Sequence, residues 1–219
     1  MSKPNLTQTE LAYHHLKQKI QTCEYIPGQE IFEKQLYEEL GYGRTPIREA
    51  LLSLKRENLI DIFPRKGMII KPILSQDIVE LYQMRKIIDP TITCEYCKLY
   101  SKSDLLEFER LFKEEHESSD VSLESDIAFY QLDIKFHSFL INIAKNSFLN
   151  NTYQLLMEKQ FRLAVFGAKT KASQRKINYT QHQNIISSLL LEDEVVLREH
   201  ILTHINYSLV TSLKSIETP

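Results

Sequence analysis

The feature that most limits how this chain can fold is where its glycines and prolines are missing. From Ser75 onward the only glycine is Gly167 and the only internal proline is Pro90, whereas Gly28, Gly41, Gly43 and Gly67 all fall in the first 67 residues. A stretch so free of breakers, rich in Leu, Ile, Glu and Lys, predicts an all-helical domain. The spacing places helices over 76–100, 103–118, 122–145, 147–172, 174–191 and 193–214. Pro90 should kink or break the first of these, and Ser118-Ser119-Asp120 separates the second from the third. About six helices packed on one another make a bundle large enough to enclose a ligand.

The glycine-rich beginning predicts short elements meeting at tight turns. Ala12, Tyr13, Leu16 and Ile20 form one apolar helix face. Ile26-Pro27-Gly28 is a turn, and Leu36, Tyr37 and Leu40 mark a short helix ending at Gly41. A third helix has Thr45 as its expected N-cap and Pro46 at the first helical position. Its Ile47, Ala50, Leu51 and Leu54 recur at i, i+3, i+4 and i+7 and so bury one stripe. Asn58 can take the left-handed position that ends it. Residues 59–63 and 68–70 read as two strands around Pro64-Arg65-Lys66-Gly67. Three helices and a hairpin make a winged helix-turn-helix. The fold class is therefore mainly α: a winged helix-turn-helix DNA-binding domain over residues 1–73, then an all-helical effector-binding and dimerisation domain over 74–219. Ser75 is the expected cap of the first helix of the second domain.

Composition narrows the function class. The chain has 219 residues, net charge −2 and three cysteines. That odd, low cysteine count argues against a disulfide framework and points to a reducing cytoplasm. Cys94 and Cys97 form a C-x-x-C with no second Cys/His pair at zinc-finger spacing, so they read as helical neighbours. No stretch approaches the roughly 20 apolar residues of a membrane span, and the N-terminus lacks a signal-peptide core. Lys and Arg outnumber Asp and Glu by 11 to 9 in residues 1–75 and trail them by 16 to 20 in the remainder. Within 44–71 the count is 7 basic to 3 acidic, so positive charge gathers on the third helix and hairpin.

That placement suits reading of double-stranded DNA. Recognition helices present their N-terminal residues to the major groove, where Arg44 and Arg48 lie. Arginine there can bridge guanine O6 and N7, worth about 1–3 kcal/mol of discrimination. The Thr45 hydroxyl is available to a cap or a phosphate. Arg65 and Lys66 at the hairpin tip can reach phosphates or a minor groove, and Gly67 allows close approach. Solvated surface charge is the alternative reading of each.

The run Pro27-Gly28, Leu36…Leu40-Gly41…Arg44-Thr45-Pro46-Ile47-Arg48-Glu49-Ala50-Leu51…Leu54, then Arg65-Lys66-Gly67, resembles the GntR family of bacterial transcription regulators over roughly the first 70 residues. The resemblance implies DNA contacts at Arg44, Thr45, Arg48 and the wing around Lys66 and Gly67. It adds a contact in the second helix, usually arginine, which falls on Lys34. Lysine is a point donor without arginine's fork. Asn58 stands where the family usually has glycine.

In the second domain Asp133 and His137 are four apart and share a helix face. His182 shares a stripe with Ile185, Ile186 and Leu189, and His204 with Leu197, His200 and Ile201. All four point where apolar neighbours point. One carboxylate and three imidazoles suit a divalent first-row metal such as Zn²⁺, Ni²⁺, Fe²⁺ or Mn²⁺. For any one histidine, a hydrogen-bonded core role is the alternative. The segments Asp133-Ile-Lys-Phe-His137…Ala144-Lys-Asn146, Tyr179-Thr-Gln-His182 and Asp193…His204 resemble the FCD ligand domain of the FadR-type GntR subfamily. The resemblance implies metal ligation by Asp133, His137, His182 and His204, with His200 as a substitute or supporting group. Zn²⁺ or Ni²⁺ is the expected ion. Arg85 matches an arginine of that domain's first helix. It can pair with Asp89 or face an anionic ligand, and Arg162 is a second effector-binding candidate.

These readings together predict a transcription regulator, a repressor and homodimer acting on operator DNA and controlled by a small carboxylate effector. It is expected to be no enzyme. The alternatives are a metal-dependent hydrolase or lyase in the helical domain, a sensor of the metal itself, and a metal-free acyl-CoA sensor.

Overall fold

The computed structural model describes residues 6–63, 67–118, 120, 122–170 and 175–217. The chain forms two compact units, one reaching to Ile73 and the other beginning at Leu74.

In the first unit α1 (Gln8–Gln21) starts at a reciprocal cap. Thr7 Oγ1 accepts from the Glu10 amide at 3.2 Å and Glu10 Oε2 accepts from the Thr7 amide at 2.8 Å, which satisfies two amides that have no partner inside the helix. Ala12, Leu16 and Ile20 repeat every four residues and are wholly buried. They pack with Leu36 of α2 (Glu33–Leu40) and with Ile47, Ala50, Leu51 and Leu54 of α3 (Arg44–Arg56). Losing Leu54 to alanine at such a site costs about 2–5 kcal/mol. Gly41 ends α2 at φ +69. Polar bonds tie α3 to α1 at two levels: Thr9 to Glu49 at 2.8 Å, and Tyr13 and Lys17 to Glu57 at 2.6 and 2.8 Å.

The start of α3 differs from the expected one. Gly43, in extended conformation, is the N-cap, and Thr45 lies inside the first turn. Pro46 becomes the third helical residue, still among the amides that need no helical partner. At the other end Asn58 does turn left-handed at φ +58, with its amide on Lys55 O and the Leu59 amide on Leu54 O. Those are the two bonds of a Schellman closure.

The hairpin strands β2 (Ile60–Phe63) and β3 (Gly67–Ile70) pair antiparallel, Ile60 opposite Ile70 and Phe63 opposite Gly67. A third strand, β1 (Glu30–Ile31), adds to the far edge of β3 with Ile31 opposite Met68. Two residues carry no readable periodicity, so nothing in the sequence marks β1. Gly67 is required by it: φ is +107 and a Cβ there would stand 2.5 Å from the Ile31 carbonyl oxygen.

The second unit is helical among its described residues: α4 (Ser75–Glu95), a 3₁₀ turn (Cys97–Leu99), α5 (Lys102–Glu117), α6 (Leu123–Asn142), α7 (Ser147–Thr170), α8 (Arg175–Leu191) and α9 (Glu194–Ile216). α4 packs on α6 and α9, α5 on α6 and α8, and α7 on α6 and α9. Ser75 is the first helical residue rather than the cap. Leu74 takes that place, its amide donating to Asp77 at 3.4 Å. Pro90 does not break α4, which continues to Glu95. The proline is buried, and the loss of the bond to the Lys86 carbonyl is local.

With no glycine at its corners, this unit turns by another device. Lys145 and Glu192 adopt φ of +49 and +56, at a cost of about 1 kcal/mol each. Each is followed by a capping side chain: Asn146 accepts from the Phe148 and Leu149 amides at 3.1 Å, and Asp193 accepts from Val196 at 3.1 Å. Among the described residues no helix is long and apolar enough to cross a membrane.

Candidate metal centre and nucleic-acid interface

The outward face of α3 begins with Arg44, Thr45 and Arg48, all exposed. Arg48 Nε donates to Glu33 Oε2 of α2 at 3.1 Å, and the Tyr37 hydroxyl donates to the same oxygen at 2.5 Å. Hydrogen bonding from Tyr37, then from Arg48, holds the Glu33 carboxyl below the usual range against the opposing effect of burial. The Arg44 guanidinium lies 5.9 Å from the Tyr37 ring centre. Lys34 is 86 % exposed and pairs only loosely with Glu38 at 3.6 Å. Arg65 and Lys66 lie outside the described residues. Gly67 is half-buried against β1, so its conformation serves the sheet whether or not DNA approaches it.

In the helical unit, α6 supplies Asp133 and His137, α8 supplies His182 and α9 supplies His204, and all four are buried. One donor atom from each lies within 4.8 Å of the others. His137 Nε2 is 3.1 Å from His204 Nε2 and 3.4 Å from His182 Nε2, and Asp133 Oδ1 is 3.0 Å from His182 Nε2 and 3.8 Å from His137 Nε2. A metal with bonds of about 2.1 Å separates adjacent donors by about 3.0 Å in an octahedron and about 3.4 Å in a tetrahedron. Three of these four separations fall in that range and the fourth, Asp133 to His137, is a little longer. Burial, joined by the charges of Arg85 and neighbouring histidines, pushes His137 and His204 well below the ordinary imidazole range. Neutral imidazole is the form that ligates. The three-nitrogen, one-oxygen set therefore fits a divalent first-row ion.

The surroundings orient the rings. His204 Nδ1 faces Gln181 Oε1 at 3.0 Å, so an N–H there leaves the Nε2 lone pair directed inward. The His182 ring stacks on Phe112 at 4.4 Å and meets Phe136 edge-on at 5.5 Å. His137 Nδ1 lies 3.1 Å from Arg85 Nη2 and 3.8 Å from Asp89 Oδ2.

Arg85 is wholly buried. Its Nε and Nη2 both donate to Asp89 Oδ2, at 3.0 and 2.8 Å. Burial disfavours its charge, but Asp89, helped by Tyr153 and Asp133, outweighs burial and keeps the guanidinium above its ordinary pKa. Of its two expected roles the ion pair is formed, while Nη1 is buried without a protein partner among the described residues. His200 does not join the cluster: its Nδ1 faces Ser188 Oγ at 2.8 Å and the Asn184 carbonyl at 3.1 Å.

Beside Asp133 opens a cavity of about 70 Å³, lined chiefly by Tyr82, Tyr130, Gln160, Asn178, Ser208 and Ser212. The Tyr82 hydroxyl accepts from Gln160 Nε2 at 3.0 Å and pairs with Ser212 Oγ at 2.9 Å. Gln160 Oε1 and Asn178 Oδ1 are buried without a protein partner among the described residues. Among the described residues the lining contains no Lys or Arg, and neither Arg85 nor the buried Arg162 of α7 belongs to it. Sequence reasoning missed Gln181 and the polar pocket wall. Gln181 adjoins His182 but serves His204 on another helix, which only the packing of α8 on α9 reveals.

Residues 8–70 match the family described as bacterial regulatory proteins, gntR family, and residues 80–207 match the FCD domain. The chain is 26 % identical over 205 residues to the HTH-type transcriptional regulator YdhC of Bacillus subtilis, covering 89 % of this chain and 86 % of that one. It is 25 % identical to the HTH-type transcriptional repressor NanR of an Enterobacter species, covering 90 % of this chain and 82 % of that protein. The crystal structure of a GntR transcriptional regulator from Rhodococcus sp. RHA1 shares the fold, with a TM-score of 0.77 at 18 % identity over 95 % of this chain and 99 % of the other.

Proposed function

Because this chain belongs to the GntR family of bacterial transcription regulators and carries an FCD ligand domain, we propose that a divalent metal and a small organic acid bound beside it set how tightly the first unit holds an operator. The observation that carries this reading is the convergence of Asp133, His137, His182 and His204 next to a cavity whose wall, among the described residues, has no Lys or Arg. Asp133 and the three Nε2 atoms would hold the ion, Zn²⁺ or Ni²⁺ by donor type. The ion would supply the positive charge that an acid head group needs. Gln160 and Asn178 would take up the effector's hydroxyl groups beside Tyr82 and Ser212, since Gln160 Oε1 and Asn178 Oδ1 have acceptor capacity unused. Gln181 would keep His204 turned inward, and Phe112 and Phe136 would keep water from behind His182.

The output side rests on Arg44 and Arg48 at the start of α3 as base readers, with Thr45 and Lys34 on phosphates. Paired chains would favour a pseudo-palindromic operator. An effector that binds two arrangements of the chain unequally would shift operator affinity by that difference, and repression relieved by the acid is the expected sign. The test is operator selection from a random duplex pool, then titration of the selected duplex with and without metal and candidate hydroxy acids. The Arg44→Ala, Arg48→Ala double variant should lose sequence-specific binding. Intact specificity in that variant would refute the recognition assignment. An operator affinity that follows free metal with no organic acid present would make the ion itself the signal.

A further inference from the structure

Two of the side chains that α3 turns outward at its start are held by α2. Glu33 and Tyr37 are four residues apart and share one face of that helix. Glu33 Oε2 receives both the Tyr37 hydroxyl, at 2.5 Å, and Arg48 Nε, at 3.1 Å, while Arg44 covers the Tyr37 ring. The Arg48 side chain is otherwise 64 % exposed, and an arginine so exposed would sample many rotamers and lose that freedom on binding.

The atom that Glu33 engages matters. A guanidinium offers two donor edges, Nε with Nη2 and Nη1 with Nη2. With Nε on Glu33, and the Tyr37 hydroxyl also against the guanidinium, the other edge is Nη1 with Nη2, two parallel donors of the kind that guanine O6 and N7 accept. A carboxylate beside a DNA-reading helix also repels phosphate on every sequence alike. Its presence there therefore lowers general affinity while fixing the geometry of one specific contact.

We propose that Glu33, anchored by Tyr37, is a positioning residue that sets base discrimination by aiming the other edge of Arg48. The proposal rests on Arg48 being a base reader, and the test separates the two. Full-length wild type, Glu33→Gln, Glu33→Ala, Tyr37→Phe and Arg48→Ala would be titrated by fluorescence anisotropy against a duplex selected by the wild type and against each of its single-base-pair variants. Far-UV circular dichroism and melting would establish that each variant is folded.

Arg48→Ala should flatten the preference at one base pair per half-site. Glu33→Gln should reduce the preference at that same pair roughly ten-fold, while the substituted duplexes bind as well as before or somewhat tighter, because a negative charge has gone. Tyr37→Phe should fall between Glu33→Gln and wild type. A merely structural role would weaken all duplexes together. The proposal is overturned if both Glu33 variants keep the wild-type preference where Arg48→Ala has lost it, or if they weaken every duplex equally. If Arg48→Ala leaves every base preference intact, the base-reading assignment itself fails and the role of Glu33 with it.

Discussion

Replacing Arg85 with methionine in metal-stripped protein would measure how far the helical core depends on one buried charge pair. Arg85 is wholly buried and Asp89 is 2 % exposed. Two guanidinium nitrogens share Asp89 Oδ2, and one of them also reaches His137. Methionine replaces the arginine stem but leaves the Asp89 carboxylate in the core without its cation. Removing one partner of a buried pair costs about 3–5 kcal/mol. A chain of this size loses about 2–4 °C per kcal/mol, so melting should fall by roughly 6–20 °C. The double variant Arg85→Met, Asp89→Leu strands no charge and should recover at least about half of the loss. Differential scanning calorimetry in the presence of a chelator reads both. A single variant within about 1 kcal/mol of wild type, or a double variant equal to the sum of the two singles, would refute the reasoning. It would mean that Arg85 is not committed to Asp89 and is available to a ligand.

Three further outcomes follow from the same geometry. Gln181→Leu should weaken metal binding by about 10–100-fold in a competitive chelator titration while the metal-free melting curve stays put, because it removes only the acceptor on His204 Nδ1. His200→Ala should leave metal affinity within about two-fold in that titration, since its ring nitrogen faces Ser188 and Asn184 rather than the cluster and metal affinity follows the ligands and their direct supports. Gly67→Ala should destabilise the first unit by about 1–3 kcal/mol, read as faster amide exchange in β3, because a Cβ would press on the Ile31 carbonyl.

The helical half was legible because its evidence is distributed. Scarcity of breakers over the whole second unit constrains every element at once, and the stripe Ile47, Ala50, Leu51 and Leu54 constrains α3 in the same way. The convergence of Asp133, His137, His182 and His204 was half legible. Spacing puts two of them on one face, but only packing brings α6, α8 and α9 to a common point. Features decided by a few atoms were not legible. β1 is too short to carry a pattern, Gly43 took the cap from Thr45 through backbone conformation, and Pro90 continues a helix that its chemistry would interrupt. Lys145 and Glu192 turn left-handed because the side chains after them cap the next helix. The wall of the cavity is a tertiary property altogether. The sequence left Arg85 either to pair with Asp89 or to face an anion, and only the structure shows the pair, one turn along the same helix, formed at 2.8 Å.

The most direct test of the account is metal content and affinity. Wild type and the variants Asp133→Ala, His137→Ala, His182→Ala and His204→Ala would be stripped with chelator, dialysed against Zn²⁺ or Ni²⁺ and measured by elemental analysis and competitive titration. One ion per wild-type chain is expected. At an ion concentration 100 times the Kd, binding should raise stability by about 2.7 kcal/mol, or roughly 5–11 °C in melting. Each folded variant should lose stoichiometric binding. A wild-type chain that takes up no stoichiometric metal, or variants that bind it undiminished, would contradict the account.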